Sequence, residues 1–416
     1  MSRKPPSAMA RVAILLLLSI AARPAVCQER FEAIPPQVAQ QYHLDFNRNF
    51  FASPEAEGAD RANLYATLKS LESLKGKVSA SAKNLERALQ LYDMAQVQFH
   101  RHYAYLYLRY AVNTGDETTL AASLALDAEM SARTAFLRRE LMEVNDRTLK
   151  AFLLRQPSLK KYLFAIEDAR RYRPYTLSLK EEELLSATAP DNSGWQAELY
   201  DKLREGAQIN PVNSSEPSAR EQAFKQRYAA SATQRDLYSF TLIRLATARD
   251  RLARLHHFAD APSEAYFNSY WSRAQVDNLL EQIASNSDLY RRYQRLRAEH
   301  IKKITGSKDV NLWDMSVREP QLKLPRYTIS EAGRVIRAAL APLGPEYGVE
   351  LAALLDPANG RMDIVPGAHR KRGGFSKGFA GTDSVFYSGG FAGYYNDVRV
   401  LTHESTHAVH RQLMNR

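Results

Sequence analysis

The sequence contains a single cysteine, Cys27, in 416 residues. A chain with one cysteine cannot form an internal disulfide, so a large packed core has to stabilise the fold. Blocks of like charge are also missing, because Lys and Arg alternate with Asp and Glu along the chain. The formal net charge is +11, and removing the four basic residues of the first 27 positions leaves +7. This mild, dispersed excess is typical of solvated helix faces and argues against a nucleic-acid partner.

Long apolar runs are scarce as well. The main one, residues 12–18, follows three basic residues and precedes a stretch of small residues. About eleven apolar residues in this region are too few to span a bilayer, and the pattern predicts a signal peptide over residues 1–27. Val26 directly before Cys27 is a poor match to a lipoprotein signal. We therefore expect a secreted or periplasmic protein without stable membrane insertion after signal cleavage.

Helical periodicity dominates most of the remaining sequence. Residues 82–112 carry a stripe of leucines and aromatic residues near one face, and Asn113-Thr114-Gly115-Asp116 ends the pattern. Further helices are predicted up to about Met142 and over residues 159–171. A loop pattern at residues 189–194 favours an N-terminal helical domain at 28–188 and a catalytic domain at 189–416.

Three segments have the spacing of a helix N-terminal capping box, in which a Ser or Thr is followed three residues later by Glu or Gln. The predicted N-caps are Ser178, Ser218 and Ser272. The last two precede long amphipathic stretches, so these positions predict where two of the helices begin.

The composition and periodicity of the sequence change after Gly360. Residues 362–365 and 385–387 are short strand candidates, and seven of the 18 glycines fall between Gly373 and Gly393. Such a glycine content excludes a continuous helix there. We predict a small glycine-rich sheet or hairpin, with a plain loop as the alternative, directly before the last helix.

That last helix carries the HExxH motif His403-Glu404-Ser405-Thr406-His407. Positions i and i+4 lie one turn apart on the same face, so His403 and His407 can bind one metal ion while Glu404 stays near a bound water. The apolar residues of the segment fall on the opposite side of the helix, as expected for a helix packed on a core. The alternative is a surface helix whose histidines have no such role, and we interpret His410 as a packing residue.

A catalytic zinc site needs a third protein ligand. Nine residues follow His407, and none of them is acidic. The sequence therefore predicts a chain that is incomplete after the HExxH helix, and the alternative is an upstream ligand such as Asp397 or Asp383. Asp397 lies at the start of the same helix, where a capping role is favoured over metal binding.

Several stretches together resemble the M3 family of zinc peptidases, in particular its oligoendopeptidase F branch. They are Arg170-Arg171-Tyr172-Arg173-Pro174-Tyr175-Thr176-Leu177-Ser178, residues 290–304, Gly344-Pro345-Glu346-Tyr347, Arg361-Met362-Asp363-Ile364-Val365-Pro366 and residues 397–410. The resemblance implies a mainly α, multi-helix zincin architecture with its active site in a deep channel. It also implies that His403 and His407 bind Zn2+ and that Glu404 is the general base. The third ligand, a glutamate, and an assisting His and Tyr come from later family segments. Thr406 stands where the family usually has Gly.

The predicted function is that of a zinc-dependent metalloendopeptidase. It would hydrolyse short oligopeptides by Glu404-assisted attack of zinc-bound water. One alternative is an exported, catalytically inactive helical protein that binds peptides in the same channel. Another is a basic helical module for acidic surfaces.

Overall fold

The computed structural model describes residues 31–178, 180–182, 184, 185, 196, 199, 203, 216–315, 317 and 324–415. The predicted signal peptide, the predicted loop at 189–194 and the predicted domain boundary at 188/189 lie outside these residues. The helices are α1 Pro36–Ala39, α2 Phe46–Asn49, α3 Pro54–Glu72, α4 Ala82–Val112, α5 Glu117–Glu143, α6 Asp146–Arg155, α7 Leu163–Arg171, α8 Pro217–Ala232, α9 Arg235–Leu255, α10 Ala261–Asn268, α11 Arg273–Ser285, α12 Ser287–Thr305, α13 Ile329–Leu340, α14 Pro345–Leu355 and α15 Tyr395–Met414. The strands are β1 Met362–Asp363, β2 Gly374–Lys377 and β3 Val385–Ser388.

This element order confirms a mainly α protein with a small glycine-rich sheet before the HExxH helix. Helix α4 has the bounds that periodicity and the Asn113-Thr114-Gly115-Asp116 stop predict. Across the described ranges, none of the helices combines the length and apolar character that a bilayer span requires.

The chain forms two compact units. Within the described residues, the first contains positions up to 58, 100–123 and 325 onward, and the second contains 59–99 and 124–324. In the second unit, the buried sides of α4–α7 share one apolar core, which includes Leu85, Leu137 and Ile166. Arg133 on α5 donates to both carboxylate oxygens of Glu72 on α3, at 2.8 and 2.9 Å.

Two predicted helix starts in this second unit are wrong. The segment predicted as one helix over 159–171 begins as a 3₁₀ turn, Pro157–Tyr162, because Pro157 lacks the N–H that would continue the preceding helix. Helix α8 begins at Pro217, so Ser218 lies inside the first turn instead of capping it. Proline suits the first turn of a helix, where its missing N–H costs nothing. The capping boxes at Ser178 and Ser272 are confirmed.

The first unit contains the sheet, with strand order β1-β3-β2. Strands β1 and β3 are parallel, and β2 and β3 are antiparallel. Side chains alternate between the two faces. Met362 and Phe386 share a core with residues of α13–α15, whereas Val385 and Tyr387 pack with Leu108 of α4. The sheet is therefore a middle layer that places β2 beside α15.

Strand β2 was not predicted, since residues 374–377 lie in the glycine-rich stretch where only residues 385–387 had a strand pattern. Its register pairs Gly374 with Ser388 and Lys377 with Val385. Pairing with a buried partner strand, and not local propensity, makes this segment extended.

Candidate metal centre

Helix α15 carries the predicted site and is fixed at its start by a side-chain cap. Asp397 accepts hydrogen bonds from the backbone N–H groups of Ala392 and Tyr394, both at 3.0 Å. Val398 and Leu401 are buried on one side of the helix. The opposite side carries His403 and His407, both exposed, so the helix presents the two imidazoles away from the core, as its periodicity predicts.

The two histidines are brought together by the helical turn between them. Their Nε2 atoms lie 3.1 Å apart. The ring centroids are 4.6 Å apart and the ring planes cross at 87°. Two nitrogens that bind one tetrahedral zinc ion at the usual bond length lie about 3.3 Å apart. The separation therefore fits two corners of a tetrahedral zinc site.

Glu404 lies on the sheet side of this pair, next to Gly374 of β2. A Cβ atom built on Gly374 would lie 3.6 Å from Cγ of Glu404 and 3.0 Å from Cγ1 of Val400. Glycine therefore lets the strand approach the helix closely here. Glu404 is half-buried at this approach of strand and helix.

The outer edge of β2 lies alongside α15. Gly389 donates its backbone N–H to the carbonyl of Gly373 at 2.9 Å. Because backbone bonding alternates along an antiparallel pair, the N–H and C=O groups of Gly374 and Ser376 point to the outer edge. An extended chain would find the groups of Gly374 beside Glu404.

Among the residues that the structure describes, a third ligand does not accompany the two histidines. Within the described part of the chain, no group of three or more His, Cys, Asp or Glu side chains is placed to hold a metal ion. Asp397 is used in the cap of α15, as predicted, and Asp383 accepts a hydrogen bond from Gln412 Nε2 at 3.0 Å. Neither upstream acid is therefore supported as a ligand.

Thr406 forms a side-chain hydrogen bond within its own helix. Its Oγ1 donates to the carbonyl of Thr402 at 2.8 Å, one turn back in the same helix. Tyr347 Oη donates to the carbonyl of Thr406 at 3.4 Å, from α14. His410 is exposed on α15, and its role as a packing residue on the face of the two histidines stays a prediction.

Sequence reasoning missed two basic residues beside the site. Arg411 Nη1 donates to the carbonyl and the Oγ of Ser376, at 3.0 and 2.7 Å. Lys377 Nζ lies 4.8 Å from the ring centroid of Tyr107. Burial lowers the pKa of Lys377, and the nearby positive charge of Arg411 lowers it further. Only the alternation of small and large residues over 374–377 could have indicated the strand that brings them here.

Two family models match the chain. One, described as Oligopeptidase F, matches residues 140–204. The other, described as Peptidase family M3, matches residues 212–415, which include His403, Glu404 and His407.

Individual relatives agree with these models. The chain is 27% identical to oligopeptidase PepF of Bacillus subtilis over 87% of its own length and 56% of that protein. It is 22% identical to group B oligopeptidase PepB of Streptococcus agalactiae, over 90% of this chain and 64% of that protein. The chain thus spans less than two thirds of either relative.

Solved structures show the same fold. An oligoendopeptidase F from Enterococcus faecium superposes with a TM-score of 0.53 at 19% identity, over 71% of this chain and 59% of that one. PZ peptidase A, solved with an inhibitor, gives a TM-score of 0.60 at 18% identity, over 84% of this chain and 62% of that one.

Proposed function

The chain belongs to peptidase family M3, and from this premise we propose that it carries the zinc-binding part of a metalloendopeptidase for short oligopeptides. One observation carries the proposal, namely that the Nε2 atoms of His403 and His407 lie 3.1 Å apart. This distance suits two ligands of one zinc ion, and Glu404 is the carboxylate beside them.

The histidines and Glu404 have different roles in the proposed reaction. His403 and His407 hold the metal through Nε2. A zinc ion, when bound, supplies a Lewis acid that polarises a peptide carbonyl and lowers the pKa of water. Glu404 accepts a proton from the attacking water and passes it to the departing amine. The edge of β2 beside Glu404 offers backbone groups to an extended peptide.

A complete site of this kind has a third ligand, and we expect it from outside the described residues. With two histidines alone, zinc affinity is expected to be weak, because ligand number sets both geometry and strength. The signal pattern of residues 1–27 further supports a location outside the cytoplasm, which N-terminal sequencing of the exported protein would test.

The experiment compares zinc content and peptide cleavage in three variants. In a protein that includes the third ligand, His403→Ala and His407→Ala should each lose zinc during dialysis, as measured by elemental analysis. Glu404→Gln should keep zinc at the wild-type stoichiometry but lose cleavage when the third ligand is present. Zinc loss in Glu404→Gln would contradict the assigned role of Glu404, and zinc retention in both histidine variants would overturn the proposal.

A further inference from the structure

A cavity of about 410 Å³ lies at the N-terminal end of α15. Its lining includes a run of three basic residues, Arg370, Lys371 and Arg372. It also includes Gly374 at the start of β2, and Asn396 and Val400 in the first turns of α15. The cavity therefore belongs to the same unit as the candidate metal centre.

The cavity extends from the sheet side of α15, where Val400 lies next to Gly374, to Asn396 on the face that carries the imidazoles. Asn396 and His403 are seven residues apart, which is close to two full helical turns, so their side chains leave the helix in nearly the same direction. Along the helix axis they are separated by about 10 Å. An extended peptide covers this distance with about three residues. A ligand group in the cavity would therefore lie about three residues from a bond held beside Glu404.

Arg370 gives the cavity a buried positive charge with unused hydrogen-bonding capacity. Its side chain is 7% exposed, and its Nη2 donates to the Asp363 carboxylate and to the carbonyl of Ser388. Its Nε is buried and has no hydrogen-bond partner within the described chain. Its guanidinium therefore lines the cavity with a donor that the described chain leaves unsatisfied.

Other groups around the cavity also favour an anion. Lys371 is half-buried and Arg372 is exposed at the rim. The N-terminus of α15 adds the positive end of the helix dipole. Two charges oppose this. Asp363 pairs with Arg370, and Asp397 accepts two backbone N–H groups in the helix cap, against the three basic residues of the lining. The balance of the lining is therefore positive.

The cavity wall is built from closely packed backbone. A Cβ on Gly389 would lie 2.8 Å from the carbonyl oxygen of Lys371, and one on Gly390 would lie 3.1 Å from Cβ of Pro366. Side chains at these glycines would collide with the wall, so the space is shaped before any ligand enters.

We propose that this cavity binds a carboxylate of the peptide substrate, about three residues from the reacting bond. The inference rests on the proposed peptide-binding function. The carboxylate is either the C-terminal group of the peptide or an Asp or Glu side chain, since both present the same two oxygens to Arg370 and its neighbours.

The test measures binding by the zinc-free chain, so that it does not depend on the metal site. Three fluorescein-labelled hexapeptides are compared by anisotropy: one with a free C-terminal carboxylate, one with a C-terminal amide, and one amide that contains an internal Glu. At least one carboxylate peptide should bind about tenfold more tightly than the plain amide. Which of the two binds more tightly identifies the source of the group.

Substitutions in the cavity lining test whether the preference for carboxylates arises there. In Lys371→Gln combined with Arg372→Gln, the carboxylate peptides should fall to the affinity of the plain amide. Arg372→Gln alone, at an exposed position, should lower the affinity about threefold and serves if the double variant does not fold. Arg334→Gln is the matched control, because Arg334 is an exposed basic residue of α13 that does not line the cavity.

Equal affinity for all three peptides would overturn the proposal, and so would the absence of saturable binding by both carboxylate peptides. An equal loss in Arg334→Gln would also overturn it, because the attraction would then come from general charge. Zinc content is measured separately, on a protein that includes the third ligand. A failure of the carboxylate preference overturns only this inference, whereas a failure of zinc binding there overturns only the proposed metal centre.

Discussion

Arg411 joins the HExxH helix to the outer edge of β2 through Ser376. Its Nη1 donates to the Ser376 carbonyl at 3.0 Å and to the Ser376 Oγ at 2.7 Å. Arg411 is half-buried and lies four residues after His407 on α15. Because the Ser376 carbonyl points away from β3, Arg411 satisfies an acceptor that the sheet leaves free. This contact holds strand and helix in register beside the candidate metal centre.

Replacement of Arg411 should therefore destabilise this unit. Arg411→Ala removes a charged donor and leaves two acceptors without it, which should lower the free energy of unfolding by about 1–3 kcal/mol. Chemical denaturation measures the loss. Arg399→Ala is the matched control, because Arg399 is exposed on the same helix and donates to Asn396 one turn away. Similar losses in both variants would contradict a specific role for the Ser376 contact.

Gly374 should tolerate no larger residue while Val400 is present. In Gly374→Ala the new methyl group would lie 3.0 Å from Cγ1 of Val400 and 3.4 Å from the carbonyl of Tyr387. Overpacking of this kind costs about 1–3 kcal/mol of unfolding free energy. Val400→Ala removes the closest atom, so a double-mutant cycle should show a coupling of about 1 kcal/mol that relieves the loss.

The matched substitution is Gly348→Ala in α14. No heavy atom lies within 4 Å of a Cβ built there. Alanine is the better helix former, so this variant should gain up to about 1 kcal/mol of unfolding free energy. Additive effects of Gly374→Ala and Val400→Ala would show that the two side chains do not compete for space.

The parts of the fold that follow from local pattern could be predicted from the sequence. The stripe of apolar residues predicted where α4 begins, and Asn113-Thr114-Gly115-Asp116 predicted where it ends. The same reasoning predicted that Val398 and Leu401 are buried and His403 and His407 exposed. Periodicity fixes which face of a helix is buried, and the spacing of four then brings the two imidazoles together.

The parts of the fold that depend on contacts between residues far apart in sequence could not be predicted in this way. Strand β2 is four residues long and glycine-rich at its start, so its extended form depends on pairing with β3. The Arg411–Ser376 contact joins residues 35 positions apart in sequence. Neither relationship can be predicted from a local sequence pattern. The cavity at the N-terminal end of α15 depends on the same strand pairing.

A buried ion pair in the second unit predicts acid sensitivity. Asp314 accepts hydrogen bonds from Arg220 Nη2 at 2.7 Å and from the Asn311 N–H at 2.9 Å. Burial acts to raise the pKa of Asp314, but the hydrogen bonds from Asn311 and Arg220 outweigh it and hold that pKa below its ordinary value. The folded state therefore binds this proton less readily than the unfolded chain, so the pair contributes stability above the ordinary pKa of 3.8.

This contribution should disappear as the pH falls below about 4 through the lowered pKa of Asp314. Asp314→Asn removes the negative charge from this buried contact with Arg220, which should cost about 3 kcal/mol or more of unfolding free energy near neutral pH. The difference between wild type and variant should then shrink with acidification, as measured by denaturation at several pH values. Asp288→Asn is the control, because Asp288 is 86% exposed in its pair with Arg291 and should leave stability unchanged. A constant difference at all pH values would contradict the assignment.

Tyr387 predicts the opposite dependence at alkaline pH. Its side chain is fully buried beneath α4, and Oη donates to the carbonyl of Lys371 at 2.7 Å. Burial raises the pKa of Tyr387 to about 12, although the charge of Arg370 partly opposes this. The folded state keeps the phenolic proton after an unfolded chain with the ordinary pKa of 10.0 has released it. Stability from this group is therefore present below about pH 10 and lost as the pH rises toward 12.

Tyr387→Phe should remove this alkaline loss and cost about 1–3 kcal/mol at neutral pH, because the Lys371 carbonyl loses its donor. Unfolding free energies measured from neutral to alkaline pH should therefore converge for the two proteins. The ultraviolet phenolate titration should lack one late-titrating tyrosine in the variant. Tyr395→Phe, which removes an exposed phenol, is the control for the tyrosine count. If Tyr387→Phe removes an early-titrating group, then the Tyr387 phenol is reached by solvent and does not anchor the Lys371 backbone at the wall of the cavity.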